Sequence, residues 1–394
     1  MPLNIPQAQG QQGSARAAFM AGCAALAVLL ASLLAIGWPL RVSVDSPRLG
    51  SPWIAQPQAL MSLRLDSSIP LLLPTMSLSL EGPGGTAPLS VVGQHWDADD
   101  AVLALRLPEL PDGSYALRVR TAHQDTLVPR AVFLRRTWPQ QLRIVQIADL
   151  PPPGREAVMG RFIAEMRKRK PDAVLVTGDI NYGGSEANID LIYSELAELE
   201  MPVIMTAGNH EREAWHRYLR VFDARDQRTD FGPLSILSLD SAHGRDALTP
   251  QTFSWLREQL ASAAGRTIVI QLHHPLFPPG PSASSEAGGT GGYLRGFRRS
   301  FLQLCRQYQV SLVLSGHWHQ DAVFDSDGKF RNDRADFPGT KFVVTTALGA
   351  EAREVYSEVP VRNGYRWIEF QDGKLQSYSP DAHHPVPSTP LGAP

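Results

Sequence analysis

The 394-residue sequence contains only two cysteines, Cys23 and Cys305. Cys23 lies in an apolar N-terminal run and Cys305 in a predicted helix, so the two cysteines outline no disulfide framework. A metal site built from cysteine is excluded as well. Any metal that this chain binds must therefore be held by histidine, aspartate, asparagine or tyrosine side chains.

An excess of charge of either sign is also missing. The 37 Lys and Arg residues nearly balance the 39 Asp and Glu residues, and the formal net charge is −2. A nucleic-acid-binding surface needs clustered positive charge, so we expect no nucleic-acid partner. The basic run 167–170 ends a predicted helix, where positive side chains complement the carbonyl end of the helix dipole.

Charge is absent altogether from residues 17–40, which lie between Arg16 and Arg41. A helix of this length, about 36 Å, would span a bilayer with some tilt, so we predict an uncleaved membrane helix that acts as a signal anchor. A cleaved signal peptide is the alternative, although the apolar part of such a peptide is usually about 7–15 residues long. Residues 1–16 are predicted to be a disordered tail. The part of the chain that follows the anchor is expected to lie outside the cytoplasm, in the periplasm or the extracellular space.

Short strands are predicted between residues 41 and 138. Met61, Leu63 and Leu65 alternate with polar residues, which is the pattern of a half-buried strand, and stretches around Leu78 and Leu117 repeat it. Turn-forming sequences rich in glycine and proline separate these stretches. The pattern predicts a β-sandwich domain over residues 41–138. Because this region has no cluster of metal-ligating residues, we expect it to act as a spacer or packing module.

The pattern changes to alternating strands and helices in residues 139–380. Strands are predicted at 143–148, 173–177, 203–206, 267–272 and 311–314, and helices at 155–170, 185–199, 253–263 and 297–307. Alternation at this spacing implies right-handed βαβ crossovers and an α/β fold. Residues 278–292 are predicted to be a mobile loop. The last residues, 381–394, are predicted to be a second disordered tail.

Five short motifs follow apolar runs in this region. They are Asp149, Gly178-Asp179, Gly208-Asn209-His210-Glu211, His273-His274-Pro275 and Gly316-His317-Trp318-His319. Because open α/β sheets bind ligands at the carboxyl ends of their strands, we expect these side chains to lie close together. Carboxylate, amide oxygen and imidazole form a ligand set suited to Fe, Mn, Zn or Co rather than Ca.

The order of these motifs resembles that of the calcineurin-like metallophosphoesterases, over residues 140–375. The resemblance implies a two-sheet metallophosphoesterase sandwich flanked by helices, and a centre of two metal ions (Fe, Mn or Zn) bridged by Asp179. The other implied ligands are Asp149 and His319 at the first metal, and Asn209, His273 and His317 at the second. His273 is favoured over His274 because the family ligand stands two positions before the proline.

The same resemblance implies a role for His210. Its family equivalent contacts the phosphate or protonates the leaving group, while metal-bound hydroxide is the nucleophile. The alternative is that His210 is only a hydrogen-bond partner of a metal ligand. Glu211 is expected to orient His210.

One ligand of the usual family pattern is missing. The first motif is Asp-x-His in most members, but here it reads Asp149-Leu150-Pro151, and proline has no side-chain ligand. The purple acid phosphatases also lack that histidine and use a tyrosine three residues after the bridging aspartate, which is the position of Tyr182 in this chain. The resemblance therefore implies Tyr182 as a ligand of the first metal, with an ordinary loop aromatic as the alternative. Plant members of that group also carry an N-terminal β-sandwich.

These features predict an enzyme that hydrolyses a small-molecule phosphate ester, with a phosphomonoester as the first choice. A phosphodiesterase that acts on nucleotides or lipid head groups is an alternative, since the same metals support that reaction. A membrane-anchored binding protein with a degraded metal site is another alternative, because of Pro151. The sequence does not predict an oligomeric state.

Overall fold

The computed structural model describes residues 42–66, 76–97, 100–222, 225–242, 248–278, 293–294, 296–331, 337–356, 359–378 and 383–384. The predicted tail 1–16, the predicted membrane helix 17–40 and nearly all of the predicted loop 278–292 lie outside these ranges, as does most of the C-terminal tail. Within the described ranges no helix is long and apolar enough to cross a bilayer.

The first nine strands form two sheets. They are β1 (Ser43–Ser46), β2 (Trp53–Ala55), β3 (Leu60–Asp66), β4 (Ser77–Gly82), β5 (Gly85–Pro88), β6 (Ser90–Asp97), β7 (Asp100–Arg106), β8 (Gly113–Arg120) and β9 (Asp125–Leu134). One sheet has the order β1-β3-β7-β6 and the other β2-β9-β8-β4-β5. The apolar members of the alternating stretches, such as Leu63 in β3 and Leu117 in β8, are fully buried in one core shared by both sheets. These sheets therefore pack face to face.

The remaining strands form two further sheets. The first contains β10 (Gln141–Ile147), β11 (Ala173–Thr177), β12 (Val203–Thr206), β19 (Tyr365–Gln371), β20 (Lys374–Ser377) and β21 (His383–His384). The second contains β13 (Gln227–Phe231), β14 (Leu234–Ser238), β15 (Thr267–Gln271), β16 (Leu312–Ser315), β17 (Ala322–Phe324) and β18 (Lys341–Val344). Their orders are β12-β11-β10-β19-β20, with β21 on β19, and β13-β14-β15-β16-β18-β17.

Within the described residues, five α-helices cover the outer faces of these two sheets. They are α1 (Glu156–Arg169), α2 (Glu186–Leu196), α3 (Trp215–Val221), α4 (Pro250–Ser262) and α5 (Arg298–Gln307). The side chains of α1 and α2 pack on the first sheet, where Phe162 and Ile192 join Val174 in one core. Those of α4 and α5 pack on the second sheet, where Leu256 and Phe301 join the core. The predicted α/β alternation is confirmed.

The inner faces of the two sheets meet in a separate core. Leu175 from the first sheet and Val269 from the second are buried there. Strand β11, Ala-Val-Leu-Val-Thr, is buried at every position because both of its faces are covered. A strand covered on both faces reads as a continuous apolar run, which is why its sequence does not alternate.

Helix ends follow the local sequence. Ser185 caps α2 by accepting a hydrogen bond from the Asn188 N–H, and Thr249 caps α4 in the same way before Pro250. Helix α1 ends at Lys170, whose backbone is left-handed, with basic side chains in the last turn as the helix dipole favours.

Residues between β1 and β2 attach the N-terminal sheets to the first α/β sheet. Gly50 pairs with the edge strand β12: its N–H donates to Val203 O (3.2 Å), and its carbonyl accepts from Met205 N (2.9 Å). Arg48 donates to the carbonyl of Arg220, at the end of α3, over 2.6 Å. The N-terminal sheets are therefore attached to the sheet that supplies three of the five motif loops.

Candidate metal centre

The five motifs lie on loops that leave one edge of the α/β layers. Strands β10, β11 and β12 run parallel, and Asp149, Asp179 and Asn209 follow their carboxyl ends. Strands β15 and β16 are parallel as well, and His273 follows one while His317 and His319 follow the other. Parallel strands direct their carboxyl ends to the same side, so the fold itself brings the motifs together.

Four of these side chains start from a left-handed backbone. The φ angles are 51° at Asp149, 53° at Asp179, 73° at His317 and 59° at His319. Such a conformation costs a residue with a Cβ roughly 1–2 kcal/mol. Backbone hydrogen bonds hold the turns, including Asp149 N to Gly178 O (3.1 Å) and Leu150 N to Asp179 O (2.9 Å). The loops are therefore fixed in strained geometry that turns the side chains inward.

One half of the centre is built around His273. Its Nδ1 lies 2.8 Å from Thr177 O and donates to it, so Nε2 is the nitrogen that faces the centre. Nε2 faces Asp179 Oδ2 at 3.1 Å, Asn209 Oδ1 at 3.2 Å and His317 Nδ1 at 3.1 Å. A single proton on Nε2 cannot satisfy three acceptors at this spacing, whereas a cation between the four atoms can. The donor set therefore fits a metal ion.

The charges of this half are consistent with that fit. Although burial opposes the shift, the carboxylate of Asp179 raises the pKa of His273 to about 9. The pKa of Asp179 is lowered, against the effect of its own burial, by His273. Burial and the charge of His273 hold the pKa of His317 well below its usual value, which keeps His317 in the neutral form that binds metals.

The other half is built around Asp149 and His319. Asp149 Oδ1 lies 3.2 Å from His319 Nε2, and the Tyr182 hydroxyl lies 3.2 Å from that carboxylate oxygen and 2.8 Å from that nitrogen. His319 Nδ1 donates to the carbonyl of Glu351 (2.6 Å), which leaves Nε2 with a lone pair. The one hydroxyl hydrogen faces two acceptors, Asp149 Oδ1 and His319 Nε2, so this half also fits a cation.

Tyr182 lies against both Asp149 and His319. Its hydroxyl joins Asp149 and His319, whereas the buried Pro151 packs against Gly349 so closely that a Cβ at Gly349 would clash with it. Burial and the charge of Asp149 raise the pKa of Tyr182, so in the absence of a cation its hydroxyl stays protonated. The structure brings Tyr182 to the centre, and its ligation of a metal remains a prediction.

His210 lies at the entrance. Its side chain is 34% exposed, and its Nε2 is 4.0 Å from Asp179 Oδ2. The backbone N–H of His210 donates to Asp179 Oδ1 (2.9 Å). The ring also packs on Tyr182, with centroids 4.4 Å apart. His210 is therefore the imidazole of the motif that solvent or a substrate can reach.

Glu211 has a different position from the one expected. Its carboxylate is buried and accepts hydrogen bonds from the N–H groups of Asp179 (3.0 Å), Ile180 (2.8 Å), Asn181 (3.0 Å) and Gly208. The expectation that Glu211 orients His210 is wrong. Its carboxylate holds the turn that carries Asp179, and a Cβ at Gly208 would collide with that turn.

His274 makes different contacts from His273. Its Nδ1 lies 2.9 Å from Ser241 Oγ, and its ring packs against that of His317, with centroids 4.7 Å apart. His273, His274 and His317 nevertheless form one close cluster. Of the two adjacent histidines, His273 is the one that contacts Asp179 and Asn209.

The sequence gives no sign of one further part of the centre, the segment 348–353. Its backbone contacts the first half: Gly349 and Ala350 donate to the carbonyl of Asp149 (3.3 and 3.2 Å), and the carbonyl of Glu351 accepts from His319. Backbone contacts impose no particular side chains, so no motif could have marked this segment.

Comparisons with known proteins agree with this geometry. Residues 142–321 match the family model of the calcineurin-like phosphoesterases. A probable cyclic nucleotide phosphodiesterase of Synechococcus is 28% identical over 225 residues, which cover 54% of this chain and 77% of that protein. A 3',5'-cyclic adenosine monophosphate phosphodiesterase of Pseudomonas aeruginosa is 27% identical over 224 residues, 55% of this chain and 78% of that protein.

Two further comparisons are more limited. A glycerophosphodiester phosphodiesterase of Enterobacter lignolyticus is 32% identical over 126 residues, and the match spans 45% of that protein. Among solved structures, a purple acid phosphatase from yellow lupin seeds aligns with a TM-score of 0.53 and 15% identity, over 82% of this chain and 72% of that one. At this identity the structural likeness concerns the fold alone.

Proposed function

We propose that this chain, a phosphoric ester hydrolase of the calcineurin-like phosphoesterase family, cleaves phosphomonoesters with a dinuclear metal centre. The observation that carries the proposal is the position of the Tyr182 hydroxyl, 2.8 Å from His319 Nε2 and 3.2 Å from Asp149 Oδ1. It supports the ligand set of a purple acid phosphatase at the first metal, in place of the histidine absent at Pro151.

The residues divide into two sets around Asp179. Asp149, Tyr182 and His319 would hold the first metal, and Asn209, His273 and His317 would hold the second, with Asp179 shared. The neutral amide of Asn209 supplies an oxygen without adding negative charge to a site that must accept an anionic phosphate. Iron, manganese and zinc all suit this mixture of oxygen and nitrogen donors.

Two metal ions held by these residues would lower the pKa of water and neutralise charge on the phosphoryl group. The protein's own contribution is positioning. Hydrogen bonds from Thr177 O and Glu351 O fix the rings of His273 and His319, and Glu211 fixes the backbone of Asp179. His210, which is partly exposed and next to Asp179, is placed to protonate the leaving oxygen of the ester.

Phosphodiester hydrolysis is the second candidate. The observation in its favour is that the sequence relatives described above are named as phosphodiesterases of cyclic nucleotides and of glycerophosphodiesters. A two-metal site supports either reaction.

The test uses the purified chain loaded with Fe, Mn or Zn, assayed on p-nitrophenyl phosphate and on bis(p-nitrophenyl) phosphate. We expect two metal ions per chain and a higher kcat/KM for the monoester. Asp179→Asn should abolish turnover and lower the metal content, while Asp327→Asn, whose side chain is 85% exposed, should leave both unchanged.

The outcomes separate the alternatives. A higher kcat/KM for the diester would replace the monoesterase proposal with the phosphodiesterase. A chain that binds no metal and cleaves neither ester would instead indicate a binding protein with a degraded site.

A further inference from the structure

The segment 348–353 ends in Arg353, whose backbone lies at the edge of the centre. Leu348 N donates to Ala148 O (2.8 Å), and Gly349 N and Ala350 N donate to Asp149 O. The carbonyl of Glu351 accepts from His319 Nδ1 (2.6 Å), and the N–H of Arg353 donates to His319 O (3.4 Å). The backbone of Arg353 is thus tied to one of the first-metal residues.

The side chain of Arg353 is free to meet a ligand. It is exposed, and within the residues that the structure describes its guanidinium makes no hydrogen bond or ion pair. Arg155, a neighbour of the same segment, is by contrast occupied, because its Nη1 donates to Gly349 O (3.2 Å). Among the described residues, Arg353 is therefore a cation beside the centre that no protein group engages.

The charge of Arg353 reaches the centre. The guanidinium is close enough to act electrostatically on the Tyr182 hydroxyl and on the His319 ring. An anion bound on the Tyr182 side of the centre would lie within the field of this positive charge.

We propose that Arg353 is a substrate-binding residue, which contacts phosphoryl oxygens at the first-metal side of the centre and favours a phosphate group with two negative charges. A guanidinium presents parallel N–H donors that match the spacing of phosphate oxygens. A monoester offers it a dianion near neutral pH, and a diester offers only one charge. The proposal rests on the proposed function in taking a phosphate ester as the ligand.

The experiment compares metal-loaded wild type with Arg353→Ala and Arg353→Lys. Isothermal titration with inorganic phosphate measures anion binding without turnover, and kinetics on p-nitrophenyl phosphate and bis(p-nitrophenyl) phosphate measure selectivity. Because one charge-assisted contact is lost, Arg353→Ala should weaken phosphate binding and raise the monoester KM about 10- to 100-fold. The diester KM should change less, and Arg353→Lys should recover part of the loss.

Two controls keep the result specific. Metal content measured on each variant should stay at the wild-type value, since Arg353 supplies no ligand atom. Arg257→Ala removes another exposed arginine, on α4, and should bind phosphate as wild type does.

The proposal is overturned if Arg353→Ala binds phosphate as tightly as wild type, or if it loses metal, which would make Arg353 a structural part of the loop. A failure of the proposed function would give a different result, because wild type would then cleave neither ester. The titration with phosphate would still decide whether Arg353 binds phosphate.

Discussion

Glu211 offers the sharpest test of how the centre is held. Each oxygen of its buried carboxylate accepts two backbone N–H groups: Oε1 those of Ile180 and Asn181, and Oε2 those of Asp179 and Gly208. In Glu211→Gln one oxygen becomes an NH2 group of nearly the same size. Two of the four N–H groups then face a donor instead of an acceptor.

The magnitude follows from those two groups. A buried donor left without an acceptor costs about 1–3 kcal/mol, so two cost about 2–6 kcal/mol. Part of this cost is offset, because the substitution also removes a buried negative charge. That charge is unfavourable, since burial and the nearby Asp179 raise the pKa of Glu211 to about 7. We therefore expect the free energy of unfolding to fall by about 2–3 kcal/mol.

The same change should reduce activity, because the turn that it loosens carries Asp179, which we propose as the shared ligand. A displacement of about 1 Å in a reacting group can cost on the order of 100-fold in rate, so we expect kcat/KM to fall by about that factor and metal affinity to fall with it. Urea unfolding, metal titration and steady-state kinetics measure the three effects.

The matched control is Glu213→Gln. Glu213 lies in the same 3-10 helix, Asn209–Ala214, but its side chain is exposed. If Glu211→Gln unfolds at the same urea concentration as wild type and binds metal equally well, the carboxylate does not organise the turn. Equal losses in the two variants would also refute the argument, since they would point to a general charge effect.

Three further predictions concern other parts of the chain. Tyr182→Phe should weaken the first metal and bleach the visible colour expected of an iron-loaded, oxidised sample, since an iron-bound phenolate absorbs visible light; identical spectra and affinities would leave Tyr182 a loop aromatic. Burial raises the pKa of Asp226 to about 6, so its contribution to stability is present at low pH and is lost as the pH rises from about 4 to about 6. Asp226→Asn, whose amide oxygen can still accept from Asp240 N, should therefore stabilise the fold by on the order of 2 kcal/mol at pH 8 and by much less at pH 4, and a gain that does not vary with pH would contradict this. For the N-terminal run 17–40 we propose membrane anchoring, so the full chain should stay with membranes after a carbonate wash, a chain starting at Val42 should not, and external protease should reach the catalytic domain in spheroplasts.

Much of the fold could be predicted because buried strands and helix faces have recognisable patterns of apolar residues. The run 173–177 is apolar up to Thr177 and forms β11 with the same ends, and 203–206 forms β12. Helix ends differ from the prediction by up to three residues, as at 253–263, where the capping Thr249 and Pro250 start α4 earlier than the apolar pattern alone suggests. The predicted side chains of the centre lie together because they follow the carboxyl ends of parallel strands, and alternating strands and helices in the sequence predict that arrangement.

The parts that could not be predicted depend on contacts that do not constrain side-chain type. The carbonyl of Glu351 orients His319, and any residue could supply that carbonyl. Glu211 was singled out, but the sequence could not show that its partners are backbone N–H groups thirty or more residues away. The choice between His273 and His274 likewise depends on the direction of a side chain after a bend.

The left-handed backbone at Asp149, Asp179, His317 and His319 has a consequence for how such a centre persists over generations. At each of these positions glycine would relieve the local strain, which offsets part of the cost of losing the side chain and its contacts, such as the hydrogen bonds that Asp149 and Asp179 accept from the backbone. If selection for catalysis is lost, substitutions should therefore appear first at these four positions. Retaining all four charged or imidazole residues is the mark of a centre that is still under selection for chemistry.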